Sequence, residues 1–370
     1  MRINWTCFPS LLLTAAVLIG PAAAAGEEIL SAQADALELD RLQAAADRYL
    51  DGSGPTQEMD WDQGLQTILD AGRAQAPAAL QKAVHSGVLL LVIVLLCGVA
   101  DGLQSGFGGG KIPDTVAVAG SLAITAVAAA DVHALVGLGR GALEGMDGFS
   151  KVLLPVVTAA CTATGSPSSA AARQLATVLF SNLLMSLINC LLLPLVYAYV
   201  ASSLAYAALG NEGLKRIGNL LKWIVTSALT GVLLLFVGYL TVSGVIAGSA
   251  DAAAVKTAKL TISGMVPVVG GILSDAAEAV LAGAGLLKNM VGIFGMLVIL
   301  FLCIAPFLQL GIHYLTYKVT AALTATVADG RIAGLIDAIG GAFGLILGMT
   351  GAGALLLLVS LVVSLSVVTP

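Results

Sequence analysis

Charge is scarce in this chain. Only 11% of its residues are Asp, Glu, Lys or Arg, where a soluble domain carries about 25%. Hydrophobic residues make up 58%, and the mean hydropathy is +0.98. Polar side chains cannot cover that much apolar surface, so lipid must. An ordinary soluble domain is thereby excluded. Histidine is rarer still: His85, His133 and His313 are scattered and make no metal site. Cys7, Cys97, Cys161, Cys190 and Cys303 sit in apolar stretches without a CxxC pair. They read as small buried hydrophobes rather than metal ligands or disulfides. The net charge is −5 and no basic patch with interleaved aromatics occurs, so nucleic-acid binding has no support. GxxxxGK[ST], HExxH and GxSxG are all missing, which leaves no P-loop, zincin or hydrolase signature. Gly106 to Lys111 (GFGGGK) is read as a flexible turn because no strand precedes it. The serines of Gly165 to Ser169 have no histidine nearby to activate them. The chain reads as non-enzymatic and without a cofactor.

What is present is a series of apolar segments behind a short polar one. Residues 1–25 resemble a secretory signal. Arg2 supplies the positive end, Leu11 to Ile19 the apolar run, and Pro21 to Ala25 the small-residue cleavage region. Residues 26–85 hold most of the acids and form the water-soluble part, expected to lie outside the cytoplasm. An amphipathic helix is expected there up to Tyr49, then a break at Gly52-Ser53-Gly54-Pro55, then a second helix over 62–76.

Residues 86–370 form the membrane domain, with about six spans expected. These are Ser86 to Leu103, Thr115 to Leu138, Gln174 to Leu209, Trp223 to Ala247, Lys288 to Tyr317, and Gly341 to Val368. Pro194 and Pro306 should kink two of them. Gly141 to Thr164, interrupted by Pro155, reads as re-entrant or interfacial. Ala252 to Val280 reads as a separate amphipathic segment. With residues 26–85 outside, Lys215, Arg216, Lys222, Lys318 and Arg331 fall inside, the sign expected of cytoplasmic loops, while Arg140, Lys151, Arg173, Lys256 and Lys259 fall outside, so the basic bias is weak. The fold class is therefore all-α, a polytopic membrane helical bundle with a small extracytoplasmic helical segment.

An internal echo suggests how the bundle is built. Pro155-Val156-Val157 recurs 112 residues later as Pro267-Val268-Val269, and Pro194 recurs as Pro306. In both copies the two prolines stand 39 residues apart. Identity between the copies is otherwise low. Duplicated halves, about 115–222 and 227–340, are a common way to make membrane proteins. Both Pro-Val-Val segments are then expected inside the bundle, packed on the kinks, with Gly270-Gly271 allowing close backbone approach.

Ionisable residues in apolar surroundings are Asp101, Asp131, Asp275, Lys288 and Asp337. Such groups often face a cavity or a partner. Alternatively each sits at a span end, and for Asp101, Asp131 and Lys288 that reading is preferred.

The segment from Lys256 to Lys318 carries an ordered series of motifs. It contains Lys256-Thr257-Ala258-Lys259, Pro267-Val268-Val269-Gly270 and Ser274-Asp275-Ala276-Ala277. Leu286-Leu287-Lys288-Asn289, Cys303, Pro306 and Tyr317-Lys318 follow. This series resembles the stage III sporulation protein AE family of endospore-forming bacteria. Weaker similarity runs from the first span to the C-terminus, while residues 26–85 depart most. The resemblance implies a mother-cell membrane component of a transenvelope channel or secretion-like complex joining mother cell and forespore. The implied partners are the other stage III A operon membrane proteins and a forespore membrane protein, besides the bilayer. The resemblance brings no catalytic residues. The competing reading is a secondary transporter built from internal repeats, whose mark would be ionisable residues at mid-membrane.

Overall fold

A computed structural model describes residues 39–50, 54–56, 59–106, 115–265, 270–328 and 330–366. Side chains are described for these except at 101, 103–106, 244–282 and 366. The signal-like residues 1–25 and the segment Pro267-Val268-Val269 lie outside the described residues. The helices are α1 (Leu39–Leu50), α2 (Trp61–Gly106), α3 (Thr115–Ala163), α4 (Pro167–Leu187), α5 (Leu193–Leu209), α6 (Glu212–Met265), α7 (Gly270–Thr324) and α8 (Gly330–Ser366). A π-helical turn, Ile188–Leu192, joins α4 to α5. Among the described residues there is no strand. In hydrocarbon every backbone amide must bond within its own segment, and helices meet that demand.

Six helices are long and apolar enough to cross a membrane, and each of the six predicted spans falls on one of them. Of their most apolar windows, 56% is buried in α8 and 50% in α7, against 22% in α6. So α7 and α8 form the centre and α6 lies at the periphery. Phe149 of α3, Phe294 of α7 and Phe343 of α8 are all but sealed. Phe149 and Phe294 meet edge to face with centroids 6.4 Å apart.

The helices run past the bilayer. At about 1.5 Å per residue, the 46 residues of α2 span about 69 Å, against a hydrocarbon core of about 30 Å. The polar helix expected over 62–76 and the first span are thus one rod. Pro77 lies inside it without ending it. α7 packs closely on this rod before Pro77: a side chain at Gly64 would strike Leu297, and one at Gly72 would meet Ile304 at 3.2 Å.

Three more expectations are corrected. Gly141 to Thr164 is not re-entrant; it is the second half of α3, with Pro155 in the helix interior. Pro155 faces outward while Val156 and Val157 are buried. Residues 252–265 are not a separate segment but continue α6. Asp131 and Lys288, expected to reach an interface, are 5% and 6% exposed. In each proline case the physical reason is the same. An interior proline removes one hydrogen bond, whereas ending the helix in lipid would strand several.

Contacts define two ends of the bundle. At one end the turns 209–212 and 324–330 meet. Gly210 takes a positive φ of 64° to close α5, and a side chain there would abut the Arg331 guanidinium. Gly98 of α2 lies beside the Val327 backbone at this end. At the opposite end α1 packs on α3, where Tyr49 lies against Gly145 and Gly148.

Candidate functional site

Helix α4 carries a polar residue on one face at every turn. Ser169, Arg173, Thr177 and Ser181 stand four residues apart, a spacing that stacks side chains on one stripe. All four are buried, Arg173 to 2% exposure. They face α3 and α8 rather than lipid. Arg173 Nη2 donates to Ser169 Oγ at 3.2 Å. Thr177 Oγ1 donates to the Arg173 carbonyl at 2.8 Å and is bonded to Ser360 Oγ of α8. Its own proton being used, Ser360 is the donor in that pair. Ser181 Oγ donates to Asp147 Oδ1 of α3 at 3.1 Å, and Asp147 Oδ2 holds Lys151 at 2.7 Å. From the other side Cys161 Sγ approaches the Ser364 carbonyl at 3.7 Å. The result is a polar seam about 18 Å long, four stripe positions at about 1.5 Å per residue, in an otherwise apolar bundle.

The seam has two distinct ends. Near Ser181 and Asp147 it opens into a recess walled by Leu143, Met146, Met185 and Gly353. Toward the start of α4, Lys288 of α7 lies within electrostatic range of both Arg173 and Cys161. One turn beyond Lys288, Gly292 lets Leu365 of α8 press against α7. Placing an arginine or lysine inside a membrane protein costs about 2.5–3.5 kcal/mol on insertion scales. Such residues therefore mark function by default, and two converge here from different helices.

A second polar contact lies deeper in the bundle. Tyr317 of α7, fully buried, donates to Asp131 Oδ2 of α3 at 2.9 Å. Its ring stands perpendicular to Phe343 of α8, with centroids 5.0 Å apart. His313, one turn earlier on α7, meets the same phenyl ring at 6.0 Å. His313 Nδ1 bonds the Gln309 carbonyl at 2.8 Å, which makes Nδ1 the protonated nitrogen. Its Nε2 has no partner among the described residues.

The sequence-predicted residues are not gathered into one site. Lys288 lies in the seam, while the adjacent Asn289 faces outward. Pro306 is buried farther along α7, near Cys303, whose thiol contacts Met146 Sδ at 3.3 Å. Pro194 and Pro155 face outward on α5 and α3. Lys256, Lys259, Gly270 and Asp275 sit on α6 and α7 by backbone, with side chains outside the described residues. Asp337 bonds Lys318 at 2.6 Å. The residues that sequence reasoning missed are Ser169, Arg173, Thr177 and Ser181. Their four-residue period was visible, but Ser169 and Arg173 were read ahead of the span that starts at Gln174, and Thr177 and Ser181 within it, so the stripe was divided between two segments. Among the described residues no cluster of three or more His, Cys, Asp or Glu side chains could hold a metal.

The family model described as Stage III sporulation protein AE matches residues 57–368. That match begins just before α2 and takes in the whole membrane bundle. Stage III sporulation protein AE of Bacillus subtilis (strain 168) is 26% identical over 252 residues, 68% of this chain and 63% of the relative. The alignment thus spans less than two thirds of the relative's own length. No solved structure matches the chain. With its six long apolar helices and its family match on the same residues, this chain belongs to the stage III sporulation protein AE family.

Proposed function

We propose that this protein is a non-enzymatic, multi-pass component of the machinery that links mother cell and forespore during stage III of sporulation. In this reading it sits in the mother-cell membrane around the forespore and contributes to a transenvelope channel or secretion-like complex. Its partners are the other stage III A operon membrane proteins and a forespore membrane protein. The observation that carries the reading is the family match over residues 57–368. Deleting the gene should block sporulation after engulfment and leave vegetative growth unchanged. Heat-resistant spores at wild-type frequency from the deletion strain would refute it.

The orientation follows the charges. Lys215, Arg216, Lys222, Lys318 and Arg331 gather at the end of the bundle that holds the turns 209–212 and 324–330. Only Glu212 and Asp337 accompany them among side chains described there. Cytoplasmic loops carry such an excess of lysine and arginine, so this end faces the mother-cell cytoplasm and α1 lies outside.

A secondary transporter is the second reading, and the buried ionisable groups favour it: Asp131, Arg173, Lys288 and His313 all lie inside the bundle. Substituting them singly separates the two. Loss of sporulation with the complex still recoverable by copurification supports transport. Loss of assembly supports the structural role.

A further inference from the structure

Helix α6 turns two neighbouring rows of side chains outward at its start. Lys215, Asn219 and Lys222 form one row, and Arg216, Leu220 and Trp223 the other. Each follows the i, i+4, i+7 spacing that lines side chains up along a helix. All six are exposed, Trp223 to 64% and Leu220 to 54%. The rotation of the helix is fixed from behind. Gly218 and Val225 are buried, and a side chain at Gly218 would meet the Tyr199 ring of α5 at 3.6 Å. The cations of this patch are not all spent on acids of the same chain. Glu212 lies 3.9 Å from Lys215 and accepts from the Tyr206 hydroxyl at 3.0 Å. Asp337, the other acid described at this end, bonds Lys318 at 2.6 Å. Arg216 and Lys222 form no ion pair among the described residues.

The position of the patch along the helix sets what it meets. From Trp223 onward the sequence is uncharged up to Asp251. Of the six apolar helices α6 is the least buried, with Leu234 and Leu235 each 67% exposed. Lipid tails must cover that surface. Tryptophan settles where tails give way to headgroups, so Trp223 marks that boundary. The headgroup layer is about 5–7 Å deep on each side of the hydrocarbon core, or about four residues of helix. It therefore holds Lys222 and Asn219, with Arg216 about one turn farther out. The anion at that depth is the lipid phosphodiester. In a zwitterionic lipid a headgroup cation offsets it; in phosphatidylglycerol nothing does. Lysine and arginine near a membrane surface draw anionic lipids, and the Asn219 amide can donate to a phosphate oxygen.

We infer that Arg216, Asn219 and Lys222, beside Trp223, form a binding site for the headgroup of an anionic phospholipid. The site lies on the outside of the bundle. It depends neither on the sporulation reading nor on which side of the membrane this end faces.

Tryptophan quenching tests it. In the full chain Trp5 and Trp61 are replaced by phenylalanine, leaving Trp223 as the reporter. The protein is reconstituted in phosphatidylcholine vesicles. Phosphatidylglycerol or phosphatidylcholine, brominated on the acyl chains, is included at equal fraction. Bromine quenches a tryptophan beside it, so the ratio of quenching reads which lipid occupies the site. The anionic lipid should be preferred about twenty-five-fold, about fivefold for each of Arg216 and Lys222. Arg216→Gln or Lys222→Gln should cut the preference to about fivefold. The two together should abolish it, and Arg216→Lys should keep it. Brominated phosphatidylcholine should quench every variant alike, which shows that Trp223 still borders lipid. Salt at about 1 M, where the screening length is about 3 Å, should weaken the preference; millimolar inorganic phosphate should not. Equal quenching by the two lipids with Arg216 and Lys222 in place, or a preference that survives the double substitution, overturns the inference. So does loss of the preference to inorganic phosphate, because the patch would then hold a free anion and not a lipid.

Discussion

Tyr317 and Asp131 meet across α3 and α7 with no cation within ion-pair distance of Asp131 among the described residues. Removing the phenol hydroxyl leaves a carboxylate oxygen buried without its donor. Tyr317→Phe should therefore lower stability by about 1 kcal/mol, within the range measured for interhelical bonds in lipid. Thermal unfolding of the detergent-solubilised protein checks this, and an unchanged midpoint would show that the bond contributes nothing net. At this scale the sequence was only partly legible. It singled out Asp131 and Lys288 as ionisable groups in apolar surroundings but placed them at span ends. Which way a side chain points depends on which neighbour its helix face meets, and nothing local states that. Arg173 was placed outside, ahead of the span expected from Gln174, yet α4 starts at Pro167 and carries it buried into the bundle.

Among the elements, prolines were the main source of misreading. Pro77, Pro155 and Pro306 lie inside continuous helices. Pro194 behaves differently. The π-helical turn Ile188–Leu192 lies immediately before it, and that turn includes the Cys190 carbonyl with which the proline ring would clash. Widening the helix by one residue relieves the clash. Pro194→Ala should let the turn revert to α-helix and rotate α5 relative to α4. Disulfide cross-linking between introduced cysteines on α5 and α8 would register that rotation; an unchanged pattern would mean the turn has another cause. At Gly340 the backbone of α8 comes close to that of α7. A Cβ there would lie 3.0 Å from Tyr317 Cβ and 3.6 Å from backbone atoms of Tyr314 and Lys318. Gly340→Leu should accordingly lower stability by about 2 kcal/mol, as overpacking does. Gly311→Ala, with open space around it, should be tolerated. Equal unfolding midpoints for the two variants would refute the close approach.

For the whole molecule, the proposed orientation puts the α1 end outside and the basic end in the cytoplasm. A cysteine at Ser53 should react with a membrane-impermeant thiol reagent on intact cells. One at Thr326, exposed in the turn after α7, should react only after permeabilisation. The reverse pattern would invert the topology. The internal duplication is a further proposal. It predicts that Gly270→Leu disrupts assembly while Gly52→Leu does not, measured by recovery of the intact complex. Equal recovery of the two would count against close backbone approach at Gly270. The second Pro-Val-Val segment lies between the described ends of α6 and α7, whereas the first lies within α3.

By itself the sequence determined the class and the spans. Eleven per cent charge and long apolar runs leave the chain no solvent but lipid, and lipid leaves the backbone no choice but helices. The ordered series from Lys256 to Lys318 also identified the family, because it depends on residue identity and order and not on packing. Only the tertiary structure decided that helices continue through Pro77 and Pro155. It also decided that α7 and α8 form the centre, and that Arg173 is buried in the bundle with Lys288 and Cys161, from two other helices, within electrostatic range of it. These outcomes rest on which faces of long rods come together. That choice is a sum over contacts between residues far apart in the chain, and local pattern carries no record of it.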